Sequence, residues 1–193
     1  MKKKILVVVD MQNDFISGSL GSPEAEAIVP YVAEKIRNAD ENTYIIFTQD
    51  THGENYLETQ EGNNLPVKHC IKDTNGWEIN DTILSAYYFN DRVAEVDNHY
   101  IKKPTFGSID LMFKLDRIVS NQHRLNNEIE IEFVGLCTNI CVVNNVLMAK
   151  GYFPEVPIIV DARGCAGTTI EGHNCALQTM KDCQVNVINE NEL

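Results

Sequence analysis

Phe133-Val134-Gly135-Leu136-Cys137-Thr138-Asn139-Ile140-Cys141-Val142-Val143 is the stretch on which the fold turns. The apolar run from Ile131 to Leu136 has the length and composition of a strand buried in a parallel sheet. It breaks at a Gly-x-x-Thr sequence and resumes with helical spacing, which predicts a helix over Ile140–Lys150 capped by Thr138 or Asn139. Cys141 is then expected in the first helical turn at the edge of a sheet, where the helix dipole favours the thiolate, the nucleophilic form. The competing reading is a small buried hydrophobe, the ordinary fate of an unpaired cysteine. The cysteine alone does not choose between them.

Working outward, the same strand-then-helix pattern recurs along the chain. Ile5–Val9, Tyr44–Thr48, His99–Lys102, Ile131–Leu136, Pro157–Val160 and Val185–Ile188 read as strands. Glu24–Asn38, Ile109–Val119, Ile140–Lys150 and Thr169–Lys181 read as helices, with apolar residues near a 3.6-residue period, such as Ile28, Val32 and Ile36. Fully apolar strands need cover on both faces. The expectation is one domain over residues 1–193, a three-layer α/β/α, doubly wound, Rossmann-like fold around a mostly parallel six-stranded sheet. Between Asp50 and Asn98 the chain is polar and irregular, a stretch expected to be functional or to carry short helices.

Composition excludes several classes. A formal net charge of −12 over 193 residues argues against nucleic acid and anionic membrane surfaces. The basic start Lys2-Lys3-Lys4 resembles a signal peptide, but its apolar run ends at Asp10, too early for an h-region. No stretch has the apolar length of a membrane span. Six cysteines without a small disulfide-dense framework suggest reduced thiols and a cytoplasmic protein.

In a doubly wound sheet, ligands bind at the carboxyl ends of the strands. Asp10 is expected to end strand one, Asp50 and His52 strand two, and Lys102 and Lys103 strand three. Cys141 follows strand four and Asp161 ends strand five. Each aspartate alone reads as a helix cap or strand stop. Asp10, Lys103 and Cys141 together at one rim supply a base, a cation and a nucleophile. Strand alternation keeps Lys102 and Lys103 from facing the site together.

Three segments carry a resemblance: Asp10-Met11-Gln12-Asn13-Asp14-Phe15, Lys103-Pro104-Thr105-Phe106-Gly107-Ser108, and Gly135 to Val142. In order and spacing they resemble the signature segments of the isochorismatase-like cysteine hydrolases. The later Asp161-Ala162-Arg163-Gly164, His173 and Ala176-Leu177 extend that likeness over essentially the whole chain. It implies a catalytic triad of Asp10, Lys103 and Cys141, a cis peptide at Leu136–Cys137, and an oxyanion hole from the backbone N–H groups of Cys137 and Cys141. Phe15 and Trp77 are candidates for the substrate pocket, or equally for the core. Cys70, Cys165, Cys175 and Cys183 are expected to be ordinary thiols, and His173 a packing or hydrogen-bonded residue.

Asp50-Thr51-His52 puts two ligand-type side chains on one face of an extended segment, and His69 follows in Leu65-Pro66-Val67-Lys68-His69-Cys70. This resembles the metal site of nicotinamidases and implies that Asp50, His52 and His69 hold one divalent ion, with Glu61 a candidate further ligand. Two histidines and a carboxylate suit zinc first, with iron or manganese as alternatives. The plain alternative is two polar loop histidines. Thr51, where an aromatic residue is common, and Glu54-Asn55-Tyr56, in place of a His-containing stretch, depart from the nicotinamidase pattern and bear on the substrate. The expected activity is hydrolysis of nicotinamide or a similar small amide to the acid and ammonia through a thioester. The alternatives are another small amide, carbamoyl or ureido substrate, or a catalytically silent binding protein. The expected partners are that small molecule and further copies of the chain.

Overall fold

The computed structural model describes residues 2–89 and 99–190. Six strands, β1 (Lys2–Val9), β2 (Thr43–Asp50), β3 (Tyr100–Lys103), β4 (Glu128–Leu136), β5 (Ile158–Ala166) and β6 (Asn186–Ile188), form one sheet in the order β3-β2-β1-β4-β5-β6. Every pairing between neighbours is parallel. The helices are α1 (Asn13–Ile16), α2 (Pro23–Arg37), α3 (Gln60–Asn64), α4 (Asp81–Tyr88), α5 (Ile109–Arg124), α6 (Val143–Tyr152) and α7 (Ile170–Asp182).

Alternation along the strands divides the apolar side chains into two cores. Ile5, Val7 and Val9 of β1 point to one face, where Leu111, Leu115, Val146, Ala149, Leu177 and Met180 of α5, α6 and α7 cover them. Leu6 and Val8 point to the other, beneath Ile28, Val32 and Ile36 of α2 and Ile83 and Tyr87 of α4. Local chemistry starts the helices. Ser22, Ser108 and Thr169 cap α2, α5 and α7 by accepting the backbone N–H three residues on, at 3.1, 3.1 and 2.9 Å. Pro23 fits the first position of α2, where no backbone donor is needed.

The chain winds outward from β1 through β2 to β3, then returns to lay β4, β5 and β6 on the other side. The direction reverses between β1 and β4, which opens a crevice at their carboxyl ends. The two strands approach closely there: at Gly135, φ is +120° and a Cβ would collide with the carbonyl of Val9.

Two expectations are corrected. Asp161 does not end strand five. β5 continues to Ala166, and between Val160 and Cys165 it bulges against two residues of β4, Phe133 and Gly135. Asp161 lies buried beneath α2 instead, paired with the Lys35 ammonium at 2.7 Å. Second, Thr138 and Asn139 do not cap the helix after β4. Cys137, in extended conformation, begins a π-helical turn over Thr138–Val142, and α6 starts only at Val143. The Val142 N–H reaches the Cys137 carbonyl at 3.1 Å, the five-residue bond that defines such a turn. The irregular segment after Asp50 does carry short helices, α3, α4 and two 3₁₀ turns, while residues 90–98 lie outside the described part.

Candidate active site

Four strand ends converge at the crevice. Asp10 follows β1 directly, with φ of 47°, a left-handed conformation that aspartate tolerates. Its backbone N–H is bound by the carbonyl of Thr48 at 3.2 Å, and its Oδ1 accepts the Thr48 hydroxyl at 2.6 Å. Lys103 closes β3 and is fully buried, whereas Lys102 is exposed, as strand alternation requires. The Lys103 ammonium stands 2.6 Å from Asp10 Oδ2, 3.5 Å from Asp50 Oδ1 and 3.4 Å from the Cys141 sulfur. The structure thus brings together the three residues singled out in the sequence. The Leu136–Cys137 peptide is cis.

Burial governs the charges. It works against the Lys103 ammonium, but Asp10, Cys141 and Asp50 outweigh it and hold the group charged, well above its ordinary range. Burial pushes the Asp10 carboxyl up, Lys103 pulls it back and Asp50 raises it again. The Cys141 thiol is pushed well above its ordinary value, first by burial; Lys103 opposes this, while Asp10 and Asp50 add to it. Burial thus outweighs the help toward the thiolate that the sequence led one to expect from the helix dipole. One ammonium is shared between two carboxylates and the sulfur, so the thiol is the harder of the buried acids to ionise.

Beside this group stands a second cluster. Asp50, His52, Glu61 and His69 each offer one ligand atom, all within 4.8 Å of one another. His52 Nε2 lies 3.0 Å from Asp50 Oδ2 and 3.6 Å from Glu61 Oε1, and His69 Nε2 lies 3.6 and 3.7 Å from the same two oxygens. Donors about 2.0–2.2 Å from a tetrahedral zinc ion stand about 3.3–3.6 Å apart, so the three longer separations suit one metal ion, while His52 and Asp50 at 3.0 Å are at hydrogen-bond distance. Glu61 Oε1 is buried and accepts no hydrogen bond. Burial raises the Glu61 carboxyl, as does Asp50, while His52 and His69 oppose them. A buried carboxylate oxygen without a donor is what a cation would satisfy. The carbonyl of Val67 holds His69 Nδ1 at 2.8 Å, which leaves Nε2 facing the cluster as a metal ligand requires.

Asp50 joins the two clusters, with Oδ1 toward Lys103 and Oδ2 toward the histidines. The buried side chain of Gln12, which the sequence did not single out, fixes it. Its Oε1 accepts the Asp50 N–H at 2.7 Å, and its Nε2 donates to the carbonyls of Asp50 at 2.8 Å and Trp77 at 2.7 Å. Only its place two residues after a candidate acid could have signalled this. Trp77 is half-buried and its indole N–H donates to the Thr51 hydroxyl at 2.9 Å. Phe15 is buried in the α2-side core with its ring 5.5 Å from that of His69. His173 is buried, with Nδ1 2.8 Å from the Thr138 hydroxyl, and all six cysteines are unpaired.

The arrangement offers an acid–base carboxyl, an ammonium and a thiol in one buried group, next to a metal-type donor set. Comparison with known proteins adds the lineage. The isochorismatase domain family matches residues 4–192. An uncharacterized isochorismatase family protein, PncA, of Bacillus subtilis is 30% identical over 185 residues, covering 91% of this chain and 92% of that one. The nicotinamidase of Saccharomyces cerevisiae is 24% identical, covering 97% of this chain and 100% of that one. The pyrazinamidase of Pyrococcus horikoshii, solved in complex with zinc, superposes with a TM-score of 0.71 at 24% identity, covering 96% of this chain and 98% of that one. No helix among the described residues is long and apolar enough to cross a membrane.

Proposed function

The chain belongs to the isochorismatase family, and from that premise we propose that it is a cysteine amidohydrolase of nicotinamidase type. Residues 1–193 act in this reading as one hydrolase domain that converts nicotinamide, or a similar small cyclic amide, to the acid and ammonia. The observation that carries the reading is the shared Asp50, whose two oxygens face the Lys103 ammonium and the histidine cluster. It couples a nucleophile to a substrate-holding site.

Asp10 takes the proton of the Cys141 thiol as the sulfur forms a bond to the amide carbon. Burial raises the Asp10 carboxyl, which makes its carboxylate a stronger base toward the thiol proton. Lys103 stays charged throughout and balances the anion as it moves from carboxylate to sulfur. The negative charge that develops on the carbonyl oxygen is held by the backbone N–H groups of Cys137 and Cys141. As the C–N bond breaks, protonated Asp10 returns its proton to the departing ammonia. Water then cleaves the thioester, giving the acid and restoring the thiol.

Asp50, His52, His69 and Glu61 would hold one divalent ion, zinc before iron or manganese, which supplies a Lewis-acid position for a ring nitrogen of the substrate. Phe15 and Trp77 would flank the ring. Cysteine is already the nucleophile, so these residues orient the carboxamide rather than activate water.

The test is ammonia release across a panel of small amides, with and without a ring nitrogen, by metal-loaded and chelated protein. Hydrolysis of ring-nitrogen amides, weakened mainly in KM by chelation, is expected. Release from none of the panel, or equal effects on both amide classes, would overturn the nicotinamidase assignment.

A further inference from the structure

We propose that Asn145 is a positioning residue that locks the lysine loop to the nucleophile helix and so sets the approach of the Lys103 ammonium to the Cys141 sulfur. This rests on the reading of Asp10, Lys103 and Cys141 as the reacting group.

Asn145 lies in the first turn of α6 and is fully buried. Its amide reaches two separate segments. Nδ2 donates to the carbonyl of Cys141 at 2.8 Å and to the carbonyl of Phe106 at 3.0 Å, and Oδ1 accepts the backbone N–H of Ser108 at 3.0 Å. A primary amide has two N–H donors and one acceptor oxygen, and all are engaged. Phe106 and Ser108 flank Gly107, where a Cβ would collide with the Met148 sulfur of α6. The loop therefore lies directly on α6, and Asn145 fastens it on both sides of its contact point. The other end of that loop is Lys103, whose carbonyl accepts the Thr51 N–H at 2.8 Å.

Lys103 and Cys141 are 38 residues apart, yet their side chains meet at 3.4 Å. β3 holds one end of the lysine loop and α6 the other. The Asn145 amide is the polar tie that couples the second end to Cys141 itself, through the cysteine's own carbonyl. Buried where water cannot substitute, it leaves two acceptors and a donor unpaired when removed. Charge-pair geometry in a buried group changes reactivity steeply with distance.

Two substitutions separate this role from general packing. Asn145→Thr keeps a hydroxyl able to bond the carbonyl of Cys141 four residues back, but cannot reach the loop. Asn145→Asp keeps the shape and the acceptor for Ser108, but turns a carboxylate oxygen toward two carbonyls. The readouts on the full chain are the rate of carboxamidomethylation of Cys141 at neutral pH, followed on its own peptide by mass spectrometry, and kcat and KM for the amide hydrolysed best. In both variants the alkylation rate and kcat should fall together by about tenfold or more while KM holds within about twofold. Alkylation and kcat near wild type in folded Asn145→Thr, or a loss confined to KM, would overturn the proposal. Should Asn145→Asp not fold, Asn145→Thr decides alone. The alkylation arm needs no substrate, so it tests the tie even if no amide is turned over.

Discussion

Fully buried Lys103 and half-buried Lys35 each stand between two carboxylates, and only Lys103 sits beside a thiol at the crevice. Lys35 of α2 bridges Glu132 of β4 and Asp161 of β5. There, all the carboxylate oxygens are occupied. Glu132 is held also by Lys4 at 2.7 Å, and Asp161 by the Tyr31 hydroxyl at 2.8 Å and the Asn189 amide at 3.0 Å. Lys103 bridges Asp10 and Asp50 at the crevice, where Asp10 Oδ2 has the ion pair but no well-directed hydrogen bond, and Glu61 Oε1 nearby has no donor at all. A charge cluster whose acceptors are filled can only hold the fold together. One with open acceptors and a thiol at 3.4 Å can exchange protons.

The contrast can be broken most directly at the sulfur. Cys141→Ala should lower turnover by about 10⁴-fold or more with the fold intact, since no other group can form the thioester. Cys141→Ser should be nearly as inactive because an alcohol ionises far less readily. Ammonia release near wild-type rates from either variant would remove the nucleophile.

Matched changes at the two lysines come next. Lys103→Ala and Asp10→Asn should each cost about 10²–10⁴-fold in kcat. Lys103→Ala should also raise the apparent pKa of Cys141 alkylation, because the cation that pulls the thiol down is gone. Lys35→Met should instead leave kcat near wild type. It should destabilise the fold by about 2–3 kcal/mol, below the roughly 3–5 of a fully orphaned buried charge because Lys4, Tyr31 and Asn189 remain. Denaturant unfolding beside kinetics separates the two outcomes, and a large kcat loss in Lys35→Met would erase the distinction.

His52→Ala should lower bound metal from about one ion per chain and raise KM more for amides with a ring nitrogen than for those without. Metal analysis with paired kinetics checks this. Unchanged metal content would show that the cluster is not the site.

The smallest effect is expected at His173. Burial lowers its pKa from the ordinary 6.5, so the folded protein holds it neutral while the unfolded chain takes up a proton. Its contribution to stability is then complete above about pH 6.5 and is lost as the pH falls below that value toward its folded pKa. Thermal midpoints recorded down to about pH 5.5 should decline more in wild type than in His173→Gln. Parallel curves would mean that another group carries the dependence.

Much of this site was legible from one chain. The strand run Ile131–Leu136 and the helix of Ile28, Val32 and Ile36 declared themselves through periodicity, and Asp10, Lys103 and Cys141 through their places after such runs. Legibility failed where a neighbour far along the chain decides the matter. Asp161 was expected at the rim because the apolar run ends there. A bulge against β4 carries the strand on and leaves the carboxylate to Lys35. The cap expected from Thr138 or Asn139 failed because tertiary partners take both side chains. Thr138 pairs with His173, and Asn139 bonds Thr168 through both ends of its amide.

The sequence by itself determined the layers, the family and the order in which Asp10, Lys103 and Cys141 arrive, because periodicity, caps and motif spacing are short-range properties of the chain. Only the tertiary structure decided that Asp50 faces two clusters, that Glu61 lies with Asp50, His52 and His69 within 4.8 Å, that Gln12 fixes Asp50, and that burial pushes the Cys141 thiol upward. Those depend on which distant segments meet and on how completely they exclude water. Burial sets the strength of every charge interaction at the site, and burial is a property of the packed whole.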